Sequence, residues 1–145
     1  MSYETIHIST HGEGFYSITD DVRKVLNDLV QRTEIASPSG ILHLFVGHTS
    51  CAMLLSEDYD PSAKKDLESF LKHLAPRNLP FIQHTLEGED DSPSHMKSAL
   101  LHQNLACIVE GGELLLGTWQ GIFLAEFRDA SHRRKVLVKF SPDSW

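Results

Sequence analysis

The chain has 145 residues, with 13 Lys+Arg against 20 Asp+Glu and a formal net charge of −7. That length suits one domain whose core needs no disulfide or zinc staple, and 41% hydrophobic with 23% charged residues excludes a disordered chain. The acidic balance disfavours nucleic acid or an anionic membrane as partner, so any phosphate contact has to be local.

Met1 to Thr5 carries neither a basic nor an apolar targeting region, and no secretory signal is expected. Ile35 to Ser56, the longest run free of Asp, Glu, Lys and Arg, is broken by Pro38, Gly40, Gly47, His43 and His48 and does not read as a membrane span. Cys51 and Cys107 stand far apart without CxxC spacing, so reduced thiols and a cytoplasmic location are expected.

Tyr3 to Thr10 alternates and is β-branched-rich, which predicts an opening strand. Thr19-Asp20-Asp21 predicts a helix start with a hydroxyl cap and acids in the first turn. Val22, Val25, Leu26, Leu29 and Val30 then form one apolar stripe. After the turn Ser37-Pro38-Ser39-Gly40, Ile41 to Val46 is a nearly continuous apolar run, expected of a strand covered on both faces. Ala52 to Leu55 resumes strand character. Asp60-Pro61 opens a second helix with stripe Ala63, Leu67, Phe70, Leu71 and Leu74, ended by Pro76. A third, shorter helix starts at Ser92-Pro93. Strands are then expected at Leu105–Val109, Glu113–Gly117, Gly121–Phe127 and Lys135–Phe140, with Gly111-Gly112 as a hairpin turn between the first two. The whole reads as a single α+β domain over residues 1–145, largely antiparallel, with 141–145 as a tail.

Nine histidines are the unusual number. His48 follows the apolar run, His84 follows Phe81-Ile82, and His95 lies in the first turn of the Pro93 helix, after the acidic loop Glu87 to Asp91. A strand end, a loop and a helix start can converge on one pocket, and open zinc sites use three imidazoles in this way. Chain spacing leaves the competing reading open: a buried, hydrogen-bonded His48 with His84 and His95 on the surface. Asp91 is either favourable charge at a helix start, a hard-oxygen ligand, or a carboxylate fixing an imidazole's tautomer. Trp119-Gln120, between Gly117 and Gly121, suits either a tight connection or a pocket wall. Glu126 ends an apolar strand face and needs a partner there, with Arg128, Arg133 and Arg134 nearby for ion pairing or phosphate recognition. No GxSxG elbow, Walker loop or GxGxxG is present.

His48-Thr49-Ser50-Cys51-Ala52, Glu57 through Asp60-Pro61 to Asp66, Phe81-Ile82-Gln83-His84, Asp90 to Lys97, and Leu116-Gly117-Thr118-Trp119-Gln120-Gly121-Ile122 together resemble the YjbQ family, in order, from about Phe15 to Val138. The resemblance implies an α+β fold, a mostly antiparallel, barrel-like sandwich with about three helices packed on it, assembled as a homotrimer with clefts between subunits. It also implies thiamine-phosphate-synthase-type transfer, joining hydroxymethylpyrimidine diphosphate to a thiazole phosphate with release of pyrophosphate. The family's shared histidines match His48, His84 and His95, the implied metal ligands. Glu57, Asp91 and Glu126 match its candidate catalytic positions. Thr49, Ser50, Trp119, Gln120 and Arg133 match further shared polar positions and, with Lys97, are the candidate contacts for a phosphorylated small-molecule substrate; Asp66 is another shared polar position.

Loss of pyrophosphate demands cationic stabilisation of the leaving group, which a divalent metal with Arg133 and Lys97 can supply. All-histidine ligation suits Zn²⁺ or another transition metal better than the Mg²⁺ that diphosphates bring, so the synthase reaction could be incidental to another metal-assisted one. The alternative is a non-catalytic trimeric metal- or small-ligand-binding protein. Two positions depart from the family pattern: Ser56, where Asn is common, and the loop Ala130 to Arg134, which lacks the usual glycine.

Overall fold

The computed structural model describes residues 3–143. Strands β1 (Glu4–His11) and β2 (Gly14–Ser17) precede helix α1 (Thr19–Arg32), then β3 (Gly40–Phe45) and β4 (Cys51–Glu57). Helices α2 (Pro61–Leu74) and α3 (Asp91–Leu100) follow, and β5 (Asn104–Glu110), β6 (Glu113–Leu114), β7 (Gln120–Glu126) and β8 (Ser131–Pro142) close the chain. One sheet has the order β1-β8-β3-β5-β6 and the other β2-β7-β4. Every pairing is antiparallel, so the expected α+β class holds.

The main core lies between the two sheets and under α1. Val22, Leu26 and Leu29 of the expected stripe are buried, with Val25 and Val30 packed beside them. Thr19 does not cap this helix. The helix starts at Thr19 itself, Ile18 precedes it, and the Thr19 hydroxyl accepts from the Ile122 N–H at 2.9 Å, tying α1 to β7. Strands β4 and β7 are buried on both faces. Ile122 and Leu124 face the main core, while Phe123 and Ala125 join Phe15, Ala52, Leu54 and Phe127 in a second cluster under α2 and Leu71.

β3 is covered on one face only. Leu42 and Leu44 are fully buried, whereas His43 and Phe45 face outward; two of the three outward positions, Ile41 and Phe45, happen to be apolar, so a nearly continuous hydrophobic run forms with one side bare. On α2 the Asp60 side chain accepts from the Ser62 N–H at 2.9 Å, with Pro61 at the first helical position as expected. Of its stripe Leu71 is buried and Leu67 partly so, while Phe70 and Leu74 stay exposed. Gly111 and Gly112 turn the β5–β6 hairpin with φ of 58° and 82°, both left-handed. β6 is shorter than expected, ending at Leu114. β8 is longer: Gly40 pairs with Pro142, and the Asp143 N–H donates to the Ser39 carbonyl at 2.9 Å. Ser141 and Pro142 therefore belong to the sheet rather than to a tail, and Ser144 and Trp145 lie outside the described residues. No helix among the described residues is long and apolar enough to cross a membrane.

Candidate metal centre

Helix α3 begins at Asp91, and His95 lies one turn later on the same face. His84 comes from the long loop joining α2 to α3. Asp91 is 3% exposed and meets both rings: Oδ2 lies 2.8 Å from His84 Nε2, and Oδ1 lies 3.2 Å from His95 Nε2. One ligand atom from each of the three lies within 4.8 Å of the others. Arg128, just past β7, locks this corner. Its Nη1 donates to Asp91 at 2.7 Å, its Nε to Asp90 at 3.0 Å, and its Nη2 to the Glu87 carbonyl at 2.8 Å. Burial pushes the Asp90 carboxyl up, but the Asp129 N–H and the Arg128 guanidinium more than offset it and hold it below the usual range.

His95 carries the main electrostatic information. Its Nδ1 lies 2.7 Å from the Thr49 carbonyl oxygen, which can only accept, so Nδ1 bears a proton. A neutral ring then turns the lone pair of Nε2 toward an Asp91 oxygen, another acceptor. Asp91 Oδ1 already accepts from Arg128 Nη1, and a cation bridging the 3.2 Å from that oxygen to His95 Nε2 would answer the lone pair facing it. A carbonyl fixing the outer nitrogen while the inner one faces a carboxylate is the arrangement of metal-ligating histidines. Two imidazole nitrogens and one carboxylate oxygen fit Zn²⁺ or a similar borderline ion with an open position.

His48 is placed differently from the expected third ligand. Its Nε2 accepts from the Lys135 backbone N–H at 3.1 Å, which makes the ring neutral with its proton on Nδ1. Burial lowers its pKa below the ordinary imidazole value, the Arg134 charge adds to this, and Glu126 opposes it. His48 still lines the same open cavity of about 710 Å³ as Thr49, His84 and His95. The cluster that assembles is thus His84, Asp91 and His95, with His48 beside it as a hydrogen-bonding ring.

Glu126 is fully buried and saturated. Thr10 Oγ1 donates to it at 2.6 Å, the Arg134 Nε at 2.7 Å and Nη2 also donate, and the backbone N–H groups of Phe127 and Arg128 complete the shell. Burial alone would raise its pKa, but these bonds and the Arg134 charge bring it below the usual carboxylate range. It acts as an internal brace rather than a free acid or base. Arg134 is the inward residue of β8 and also reaches the Ser50 hydroxyl at 2.9 Å, while Arg133 faces outward. Lys97 is buried too, with Nζ 2.7 Å from Glu13 and 5.3 Å from the Phe127 ring centre, so its charge is already matched. Thr49 contributes its carbonyl, and Cys51 is sealed in the core, its thiol pushed up to about 12 by burial.

Glu57, Trp119 and Gln120 are not part of this cluster. Cys51 pairs with Glu126 at one end of the β4–β7 ladder and Glu57 with Gln120 at the other, a span of about 20 Å at the rise of a strand. There Trp119 is 57% exposed with its ring edge against Tyr59 at 4.8 Å. Gln120 Oε1 accepts from the Gly117 N–H at 2.8 Å and Glu57 from the Asp60 N–H at 3.2 Å. Asp66 is exposed on α2. Sequence reasoning named Arg128 only as one of three nearby cations. The signal for its role was the adjacent pair Asp90-Asp91, which cannot both be buried without a guanidinium fork.

A family model described as UPF0047 protein YjbQ-like matches residues 4–143. The UPF0047 protein YjbQ of Escherichia coli O157:H7 is 37% identical over 135 residues, covering 93% of this chain and 94% of its own. The UPF0047 protein MJ1081 of Methanocaldococcus jannaschii is 39% identical over 133 residues, covering 88% and 93%. Among solved structures, the conserved hypothetical protein TT1486 of Thermus thermophilus superposes with a TM-score of 0.81 at 37% identity, covering 95% of this chain and 99% of that one. The likeness runs through both sheets and all three helices, and on that breadth the chain belongs to the YjbQ/UPF0047 family.

Proposed function

We propose that the chain is a metal-dependent enzyme acting on a phosphorylated small molecule, with a divalent cation, Zn²⁺ or another transition metal, held by His84, Asp91 and His95. The observation that carries this reading is His95, whose two ring nitrogens both face acceptors, 2.7 Å from the Thr49 carbonyl and 3.2 Å from Asp91. A bound cation would supply charge stabilisation for a departing phosphate or diphosphate. The chain's own residues hold the site ready. Thr49 fixes the His95 tautomer, Arg128 aims Asp91, and His48 lines the cavity as a neutral ring with its proton on Nδ1.

The reaction implied by the resemblance is transfer of a hydroxymethylpyrimidine unit from its diphosphate to a thiazole phosphate. The carbon–oxygen bond to the diphosphate breaks as a carbon–nitrogen bond forms, and pyrophosphate departs with the electron pair. Mg²⁺ could accompany the diphosphate. Metal analysis of the purified protein is the first test, with about one ion per chain expected. Metal-loaded protein is then given both thiamine precursors; absence of product, or a His95→Ala variant as active as wild type, overturns the transfer.

A second reading, a non-catalytic metal- or small-ligand-binding protein, is favoured by one observation. Two of the three expected catalytic carboxylates are engaged elsewhere, Glu126 by Arg134 and Glu57 at the far end of β4. Metal uptake without turnover on either precursor selects it. Both readings include a homotrimer. A sedimentation mass three times the 16.3 kDa of the chain is expected, and a monomer mass contradicts it.

A further inference from the structure

Ser98 stands on α3 three residues after His95 and is 2% exposed. Its hydroxyl has no hydrogen-bond partner among the described residues, the only such buried side-chain group found there. Folded proteins rarely leave such a group orphaned unless water or a ligand answers it. Ser98 lines the same cavity as His84 and His95, and the Gln103 side chain pins its carbonyl at 2.7 Å, so the residue is held in place. His48 lines that cavity as well, and because Lys135 donates to its Nε2, its free ring nitrogen is an N–H donor.

Charge narrows what these donors read. Arg128 carries one positive charge against the two carboxylates it holds, Asp90 and Asp91, and Thr49, Ser92, Ala99 and Gln103 add none to the cavity wall. A divalent ion would therefore leave a net positive charge at this corner, and its open position favours an anion. We propose that Ser98 and His48 form the specificity wall of the cation site and recognise a tetrahedral oxyanion, one oxygen on the ion and others on the Ser98 O–H and the His48 N–H. This rests on the metal reading above and names the groups that would select the substrate. A phosphate offers a separate oxygen to the ion and to each donor, whereas a carboxylate must share its second oxygen between the two.

The test uses the full chain loaded with Co²⁺, whose visible spectrum reports its ligands, titrated with inorganic phosphate and, in parallel, with acetate. Wild type should bind phosphate more tightly than acetate. Ser98→Ala should weaken phosphate about tenfold while binding Co²⁺ as wild type does and leaving acetate unchanged. His48→Gln should weaken phosphate and keep Co²⁺. Phosphate binding unaffected in Ser98→Ala would assign the hydroxyl to an ordered water and overturn the proposal. Loss of Co²⁺ in His48→Gln would make that ring a ligand and overturn it too. A loaded wild type indifferent to phosphate sinks this proposal alone, whereas failure to take up Co²⁺ sinks the metal reading and this one with it.

Discussion

Asp91 and His95 are one helical turn apart on α3, and that turn sets a carboxylate oxygen 3.2 Å from an imidazole nitrogen whose ring is anchored on its other side by the Thr49 carbonyl. The helix supplies the spacing and the strand-end loop supplies the tautomer. Neither element alone makes a cation site.

Removing either partner should release the ion. Asp91→Asn keeps the shape but loses the anionic oxygen, and His95→Ala loses the oriented nitrogen. Each should weaken Zn²⁺ or Co²⁺ binding by about 100-fold or more, given that even supporting residues around metal ligands are worth ten- to a hundredfold. Competition against a chromophoric chelator measures it. Wild-type affinity in both variants would remove His84, Asp91 and His95 as the binding group.

Acid should destabilise the fold in two stages. The His48 pKa is lowered in the folded state, so as pH falls through about 6.5 the unfolded chain takes up a proton that the folded one refuses, and stability declines. Glu126, Asp90 and Asp129 have depressed carboxyl values, so their contribution is complete above about pH 4 and is lost as pH falls through the folded values. For Asp129 the Arg77 fork is the leading cause. Urea midpoints from pH 8 downward should show a first decline, flattened in His48→Gln, before a steeper second one. Stability that rises between pH 7 and pH 5 would contradict the assignment.

Much of this was visible in the residue pattern, and the misses have a common origin. The α1 stripe, the Gly111-Gly112 turn and the Asp60-Pro61 start depend on neighbours within a turn or two, and they stand where expected. His84 and His95 were legible because each follows a break in an apolar element. Asp91 was legible as a carboxylate beside them, but its choice as partner over His48 depends on a Lys135 N–H 87 residues from His48. The Glu126 contact with Thr10 spans 116 residues. Whether Arg133 or Arg134 points inward depends on the phase of a strand with period two, and one residue of shift exchanges them. Separation of Trp119 from the histidines is a property of the β4–β7 register. The orphaned Ser98 leaves no trace in a helix already rich in serine.

The Glu126–Arg134 pair should be expensive to break and cheaper to replace. Glu126→Ala strands a buried guanidinium and the Thr10 hydroxyl, and a loss of about 3–5 kcal/mol is expected. The double variant Glu126→Leu with Arg134→Met should lose less than Glu126→Ala alone, because no buried charge is left uncompensated. Denaturant unfolding of the three proteins decides it. A double variant weaker than the single one would mean that the pair contributes attraction beyond its own desolvation.

Gly40 tests whether the end of the chain belongs to the sheet. It opens β3 opposite Pro142, and a Cβ there would overlap the Ser141 carbonyl oxygen and stand 2.8 Å from the Pro142 Cα. These are backbone atoms of a paired strand, which cannot swing aside as a side-chain tip can. Gly40→Ala should therefore part the β3–β8 ladder at this end and destabilise by about 1–3 kcal/mol, the range for forced overpacking. Gly111→Ala is the comparison: its Cβ meets nothing within 4 Å, but its φ of 58° is left-handed, so backbone strain alone, about 1 kcal/mol, is expected there. Amide exchange separates the two, since Gly40→Ala should expose the Asp143 N–H that now bonds to the Ser39 carbonyl, whereas Gly111→Ala should leave it protected. An Asp143 amide already unprotected in the wild type would return Ser141 and Pro142 to an unpaired tail.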